Sequence, residues 1–180
     1  MPSLLTRGRI GLHAGRSLLA ERVRDRLHGV DPVPAGTLAE LFAAHPADTV
    51  FVHAGLSAVN AAFPGDPYEH LFDALTAEYE NVLVPGFTPS FLSAGVYHRA
   101  YSRPGVGTFA RLFHADADYR TADPVYSILV AGEYRFEDCC HARSFAPEGC
   151  FGKLDRDNVL VVNVGTGGLR CSHMHYVEQR

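Results

Sequence analysis

The sequence predicts a three-layer α/β/α domain built around a largely parallel or mixed sheet. Apolar runs of strand length recur at residues 49–52, 82–84, 127–130 and 159–164, and helix-opening signals fall between them. The first two runs are joined by a helical segment, a connection that favours parallel pairing through a crossover.

Residues 1–36 read as a separate N-terminal piece. Leu18, Leu19, Val23 and Leu27 repeat at helical spacing while Arg16, Arg22, Arg24 and Arg26 fill the other faces, and Pro32, Pro34 and Gly36 follow as a linker. Residues 37–180 form the expected α/β domain. Thr37 to Glu40 reads as a capping box opening a helix that stops before Pro46, and Asp66 to Glu69 as a second, with Pro67 at the favoured first position. The strand at 49–52 leads into His53, Ala54, Gly55, Leu56 and Ser57. Residues 82–84 form the next strand and meet Pro85, Gly86 and Phe87. In such sheets ligands gather at the carboxyl ends of the strands, where His53 and Ser57 fall. Glycine after the strand lets a ligand approach the backbone and meet free N–H groups.

Residues 89–107 lack regular patterning and carry Tyr97, His98, Tyr101 and Arg103, so a loop overhanging the cleft is expected. Thr108 reads as the cap of a short helix ending near Phe113. Asp116, Asp118 and Asp123 surround Arg120, a pattern of turn chemistry and ion pairing, and Asp123 precedes Pro124 as a strand-opening turn would. The run at 159–164 reads as a buried strand. It ends in Gly165 to Gly168, which lacks the spacing of a dinucleotide site.

After that turn come Ser172, His173, Met174, His175, Tyr176, Val177 and Glu178. On a helix, His175 and Glu178 share a face, and the carboxylate can fix the tautomer of an imidazole acting as general base.

Composition narrows the classes. The chain has 180 residues, is 47% hydrophobic and carries a net charge of −4, enough for one core and no field to gather nucleic acid. No apolar run is long enough for a membrane span, the N-terminus lacks a signal-peptide core, and a cytoplasmic protein is expected. The four cysteines fit neither a disulfide framework nor a zinc pattern, and no bound metal is expected. His173 and His175 would nevertheless project to one side of an extended segment, which leaves a metal-dependent hydrolase as an alternative.

The order of His53-Ala54-Gly55-Leu56-Ser57, Arg120-Thr121-Ala122-Asp123-Pro124-Val125-Tyr126-Ser127 and Ser172-x-x-His175-x-x-Glu178 resembles the aminoglycoside 3-N-acetyltransferase family, over roughly residues 37–180. Ala54 and Gly55 stand where that family has serines, Asp123 where it has histidine, and Ser172 where it has threonine. The resemblance implies acetyl transfer from acetyl-CoA to a primary amine of an aminoglycoside or a biosynthetic intermediate, with His175 and Glu178 catalytic. It makes His53, Ala54, Gly55, Ser57 and Ser127 candidate coenzyme contacts. Tyr97, Asp123 and Ser172 are candidate acceptor contacts. The family continues beyond the position matching Arg180, so a short member with an open sheet edge is expected, and with it either a homo-oligomer or a shallow site. Two other classes stay open: a hydrolase or cyclase using the same His-Glu pair without coenzyme A, and a catalytically silent small-molecule-binding homologue.

Overall fold

The computed structural model describes residues 33–179. The basic amphipathic helix expected near residues 18–27 lies outside them. The described elements run α1 (Thr37–Ala43), β1 (Thr49–Ala54), α2 (Leu56–Ala62), α3 (Pro67–Glu78), β2 (Asn81–Pro85), α4 (Phe91–Ala94), α5 (Thr108–Phe113), β3 (Tyr119–Arg120), β4 (Ile128–Ala131), a 3₁₀ turn (His141–Arg143), α6 (Cys150–Arg156), β5 (Leu160–Val164) and α7 (Met174–Glu178).

The strands form one mixed sheet in the order β3-β4-β2-β1-β5. Parallel pairing joins β1 to β2 and β1 to β5, with Val50 opposite Val82 and Leu160. β4 runs antiparallel to both β2 and β3.

Alternation along the strands builds two cores, because successive side chains point to opposite faces. Val50, Val52, Val82, Val84, Leu129 and Ala131 face one side and pack with Leu38 and Phe42 of α1, Leu71 and Leu75 of α3, and Phe109 and Phe113 of α5. Phe51, Leu83, Ile128 and Val130 face the other side, against Phe151 and Leu154 of α6 and Tyr176 of α7. Each wholly buried Phe or Leu contributes about 2 kcal/mol through the hydrophobic effect, so both helical layers are held by the sheet. The expected three-layer α/β architecture is what forms.

Several local expectations change. Thr37 is the first residue of α1 and not its cap: its N–H donates to the Pro34 carbonyl in a preceding turn, and Gly36 occupies the cap position. Thr108 likewise opens α5 behind Gly107, whose φ of 81° lets the chain enter the helix. The Asp66 cap forms as expected, accepting from the N–H groups of Tyr68 and Glu69 ahead of Pro67. β5 is half-buried along its whole length because it is an edge strand, where a buried one was expected. No described helix is long and apolar enough to cross a membrane.

Candidate active site

The carboxyl ends of β1, β2 and β5 open into a cavity of about 490 Å³. β1 and the start of α2 supply His53, Ala54, Gly55 and Ser57 to its wall, β5 supplies Gly165 and Thr166, and the segment leading into α5 supplies Val106 and Gly107. Four of the five residues read as coenzyme contacts therefore share one cavity. The joint between β1 and β5 depends on glycine. A Cβ on Gly55 would sit 2.4 Å from the Gly165 carbonyl oxygen, and Gly165 itself has a φ of 62°. The Gly55 N–H, expected to be free for an oxyanion, donates instead to the Val164 carbonyl at 2.8 Å, so this glycine serves close backbone packing.

His53 leaves β1 on the same face as Phe51, whose ring it meets edge-on at 5.1 Å. Its Nε2 lies 3.3 Å from the Ser172 hydroxyl and 3.4 Å from the Ser172 backbone nitrogen, whose N–H donates to it. Burial lowers the His53 pKa to about 4, which keeps the ring neutral and an acceptor near pH 7. Residues far apart in the chain are thus joined at the strand exit, with Ser172 buried beneath α7.

The turn into α7 is helical, and His175 Nδ1 stands 3.4 Å from Glu178 Oε2, as the i,i+3 spacing requires. Both side chains are mostly exposed, 60% and 67%. His175 rests edge-on against Phe145 at 5.4 Å; Phe145 meets Tyr126 at 4.9 Å, and Tyr126 meets Phe87 of the cavity wall at 5.4 Å. An aromatic row therefore separates the His-Glu pair from the cavity, whose lining does not include His175. His173 turns the other way, largely buried, with Nε2 3.7 Å from Asp155. The two rings diverge because the segment is helical, so they do not form the shared metal face of an extended segment. Among the described residues no three His, Cys, Asp or Glu side chains group to hold a metal ion.

The sequence matches the profile of the aminoglycoside 3-N-acetyltransferase family over residues 51–180. The chain belongs to that family. Among solved structures this family member is similar to the YokD protein from Bacillus subtilis, with 18% identity over 68% of this chain and 61% of that one and a TM-score of 0.54. It is similar to AAC-IIIb in its binary complex with CoASH, with 18% identity over 74% and 59% and a TM-score of 0.60. Sisomicin-bound AAC-VIa gives 17% identity over 82% and 65%, with a TM-score of 0.61. These likenesses show the fold. The chain spans about three fifths of the length of the first solved structures it matches. No curated protein matches it.

The remaining candidates of this acetyltransferase-family chain face inward. Asp123 is 7% exposed; its Oδ1 accepts from the N–H groups of Val125 and Tyr126, and its Oδ2 from the Ser144 hydroxyl at 2.5 Å. It clamps the turn before β4, and no ion pair forms with Arg120. Ser127 is wholly buried, donates to the Gly86 carbonyl and accepts from Arg120 Nε, away from the cavity. Tyr97 donates its hydroxyl to the Thr121 carbonyl and lies under the Arg120 guanidinium, which is 5.1 Å from its ring centre.

Sequence reasoning read Arg120 and its aspartates as turn chemistry with ion pairing and missed its role. The guanidinium is 5% exposed and donates to the Gly86 carbonyl, the Thr88 and Ser127 hydroxyls, and the carbonyls of Arg99 and Ser102. It ties the end of β2, the loop at 99–102 and the start of β4 together. The surrounding aspartates bond elsewhere, Asp116 to the Tyr68 hydroxyl and Asp118 to the Gly132 N–H.

Proposed function

We propose that the chain carries out, or supplies most of the site for, acetyl transfer from acetyl-CoA to a primary amine of an aminoglycoside or a related small molecule. The observation that carries this reading is the family match over residues 51–180, which spans all three signature segments. The CoASH complex of AAC-IIIb and the sisomicin complex of AAC-VIa support a coenzyme A thioester as donor and a polyamine as acceptor. The family match favours transfer over a CoA-independent hydrolase.

In this reading the pantetheine arm of the donor runs from the cavity beside His53 and Gly55 across Phe87 and Tyr126, so that its thioester carbon and the acceptor amine meet over Phe145, within reach of His175. The neutral amine is the nucleophile, because a protonated one has no lone pair for the carbonyl carbon; the ammonium form gives up its first proton to solvent. Glu178 holds Nδ1–H, leaving the Nε2 lone pair of His175 to take the amine proton as nitrogen bonds to the acetyl carbon. Collapse of the tetrahedral intermediate breaks the carbon–sulfur bond, and the proton passes to the departing thiolate. No acyl-enzyme is required. The free side of β5, unpaired among the described residues, is where this reading locates self-association.

Calorimetry and thermal unfolding test donor binding. Acetyl-CoA at about 100 times its Kd should stabilise the native state by roughly 2.7 kcal/mol and raise Tm. No heat and no shift would overturn the reading.

A further inference from the structure

A second concavity lies on the side of α5 away from the acetyl-transfer cavity. It is a groove of about 560 Å³ walled by Tyr101, Arg103, Arg111 and His114, and it shares Ala100 and His114 with an adjoining cavity of about 350 Å³ into which Arg99 and Arg120 face. Nothing in the proposed acetyl-transfer chemistry uses it.

Its charge is unusual for this protein. The chain is net negative, at −4, yet four arginines converge here. Arg99, Arg103 and Arg111 are exposed, and none has a carboxylate within ion-pair distance among the described residues. The only carboxylate in the walls is Asp118, which accepts from the Gly132 N–H. Behind them Arg120 is 5% exposed and bonded to hydroxyls, carbonyls and, through Nη1 at 3.4 Å, the Nε2 of His114, with no carboxylate partner, so its charge is solvated by the protein and left uncancelled. A buried, fixed cation with exposed arginines in front of it projects a positive potential into the groove.

The shape adds a second requirement. Tyr101 is 81% exposed, a large solvent cost for an aromatic ring, yet it is held in place: its ring stacks on His98 at 4.6 Å with planes 28° apart. His98 is itself fixed, accepting from the Ala100 N–H through Nδ1 and donating its backbone N–H to the Ser102 hydroxyl. An exposed but immobilised ring offers a platform for a planar group at little entropic cost. Leu112, 44% exposed, gives the groove an apolar patch.

Guanidinium forks match phosphate oxygens in geometry and bind them with charge-assisted hydrogen bonds. We propose that this groove binds the phosphate groups of a phosphorylated ligand whose planar part lies on Tyr101, with Arg103 and Arg111 as the direct contacts and Arg120 as the fixed charge behind them. The phosphorylated adenosine end of coenzyme A is one source of that chemistry; a separate phosphorylated nucleoside is the other. The site does not depend on acetyl transfer.

The test is calorimetric titration of pyrophosphate and of adenosine 3′,5′-bisphosphate at about 50 mM salt, where surface charge is weakly screened. The proteins are wild type, Arg103→Ala/Arg111→Ala, and a control, Arg143→Ala/Arg156→Ala, that removes the same charge elsewhere. Both probes should bind wild type and the control. The groove variant should weaken both by at least about tenfold, the loss expected for a charge-assisted contact, and Tyr101→Ala should weaken the nucleotide but not pyrophosphate. Saturating acetyl-CoA then identifies the source: displacement of pyrophosphate assigns the groove to the coenzyme, and simultaneous binding assigns it to a separate ligand. Equal affinity in the groove variant and the control, or no binding of either probe to wild type at millimolar concentration, would overturn the proposal. Thiol release from acetyl-CoA is measured separately, so loss of one reading leaves the other standing.

Discussion

His53 Nε2 lies 3.3 Å from the Ser172 hydroxyl, across 119 residues of sequence, and this contact docks the turn into α7 onto the exit of β1. Because burial lowers the His53 pKa from 6.5 to about 4, the unfolded chain takes up this proton before the folded one does as pH falls. His53 therefore favours the fold fully above about pH 6.5, and that contribution is lost progressively between about 6.5 and 4. His53→Gln keeps an acceptor and removes the titration. Denaturant midpoints of the variant should fall less steeply over that window than those of wild type; parallel curves would show that His53 does not titrate between the two states. Ser172→Ala should cost about 1 kcal/mol.

The two glycine segments that line the cavity should respond differently to alanine. Gly55→Ala places a Cβ against the Gly165 carbonyl, backbone against backbone, so the joint between β1 and β5 must open. We expect a loss of about 2 kcal/mol or more. Gly167→Ala meets nothing within 4 Å and should stay within about 0.5 kcal/mol of wild type. Urea unfolding of the pair checks this, and equal losses would contradict the close packing.

Asp123 separates a structural from an acceptor-binding role. Removing its carboxylate leaves the part-buried Val125 and Tyr126 N–H groups and the buried Ser144 hydroxyl without their partner, so Asp123→Ala should destabilise by about 2 kcal/mol. The acceptor KM should change little in the fraction that stays folded. A raised KM with an unchanged Tm would instead make Asp123 an acceptor contact.

Much of this was legible in the chain. The strands at 49–54, 81–85, 128–131 and 160–164 show as apolar runs because both faces of their sheet are covered, and the His175–Glu178 contact follows from helical spacing alone. The Asp66 cap was equally plain. α2 was missed because Leu56–Ala62 follows the strand with no capping side chain and only two buried residues, so it carries little periodic signal. β3 is two residues long and owes its existence to pairing with β4, which no local pattern encodes. Arg120 was the most consequential miss. Its neighbours in sequence are aspartates, but its partners are carbonyls, hydroxyls and the His114 ring, up to 34 residues away and brought together only by the fold.

The most direct measurement is thiol release from acetyl-CoA in the presence of an aminoglycoside, with wild type compared to His175→Ala. Wild type should release coenzyme A only when the amine is present. His175→Ala should lose roughly 10²- to 10⁴-fold in turnover, the usual cost of removing a general base, with an unchanged Tm because the ring is exposed. Glu178→Gln should lose less. Amine-dependent release at the wild-type rate in a folded His175→Ala protein would contradict the account.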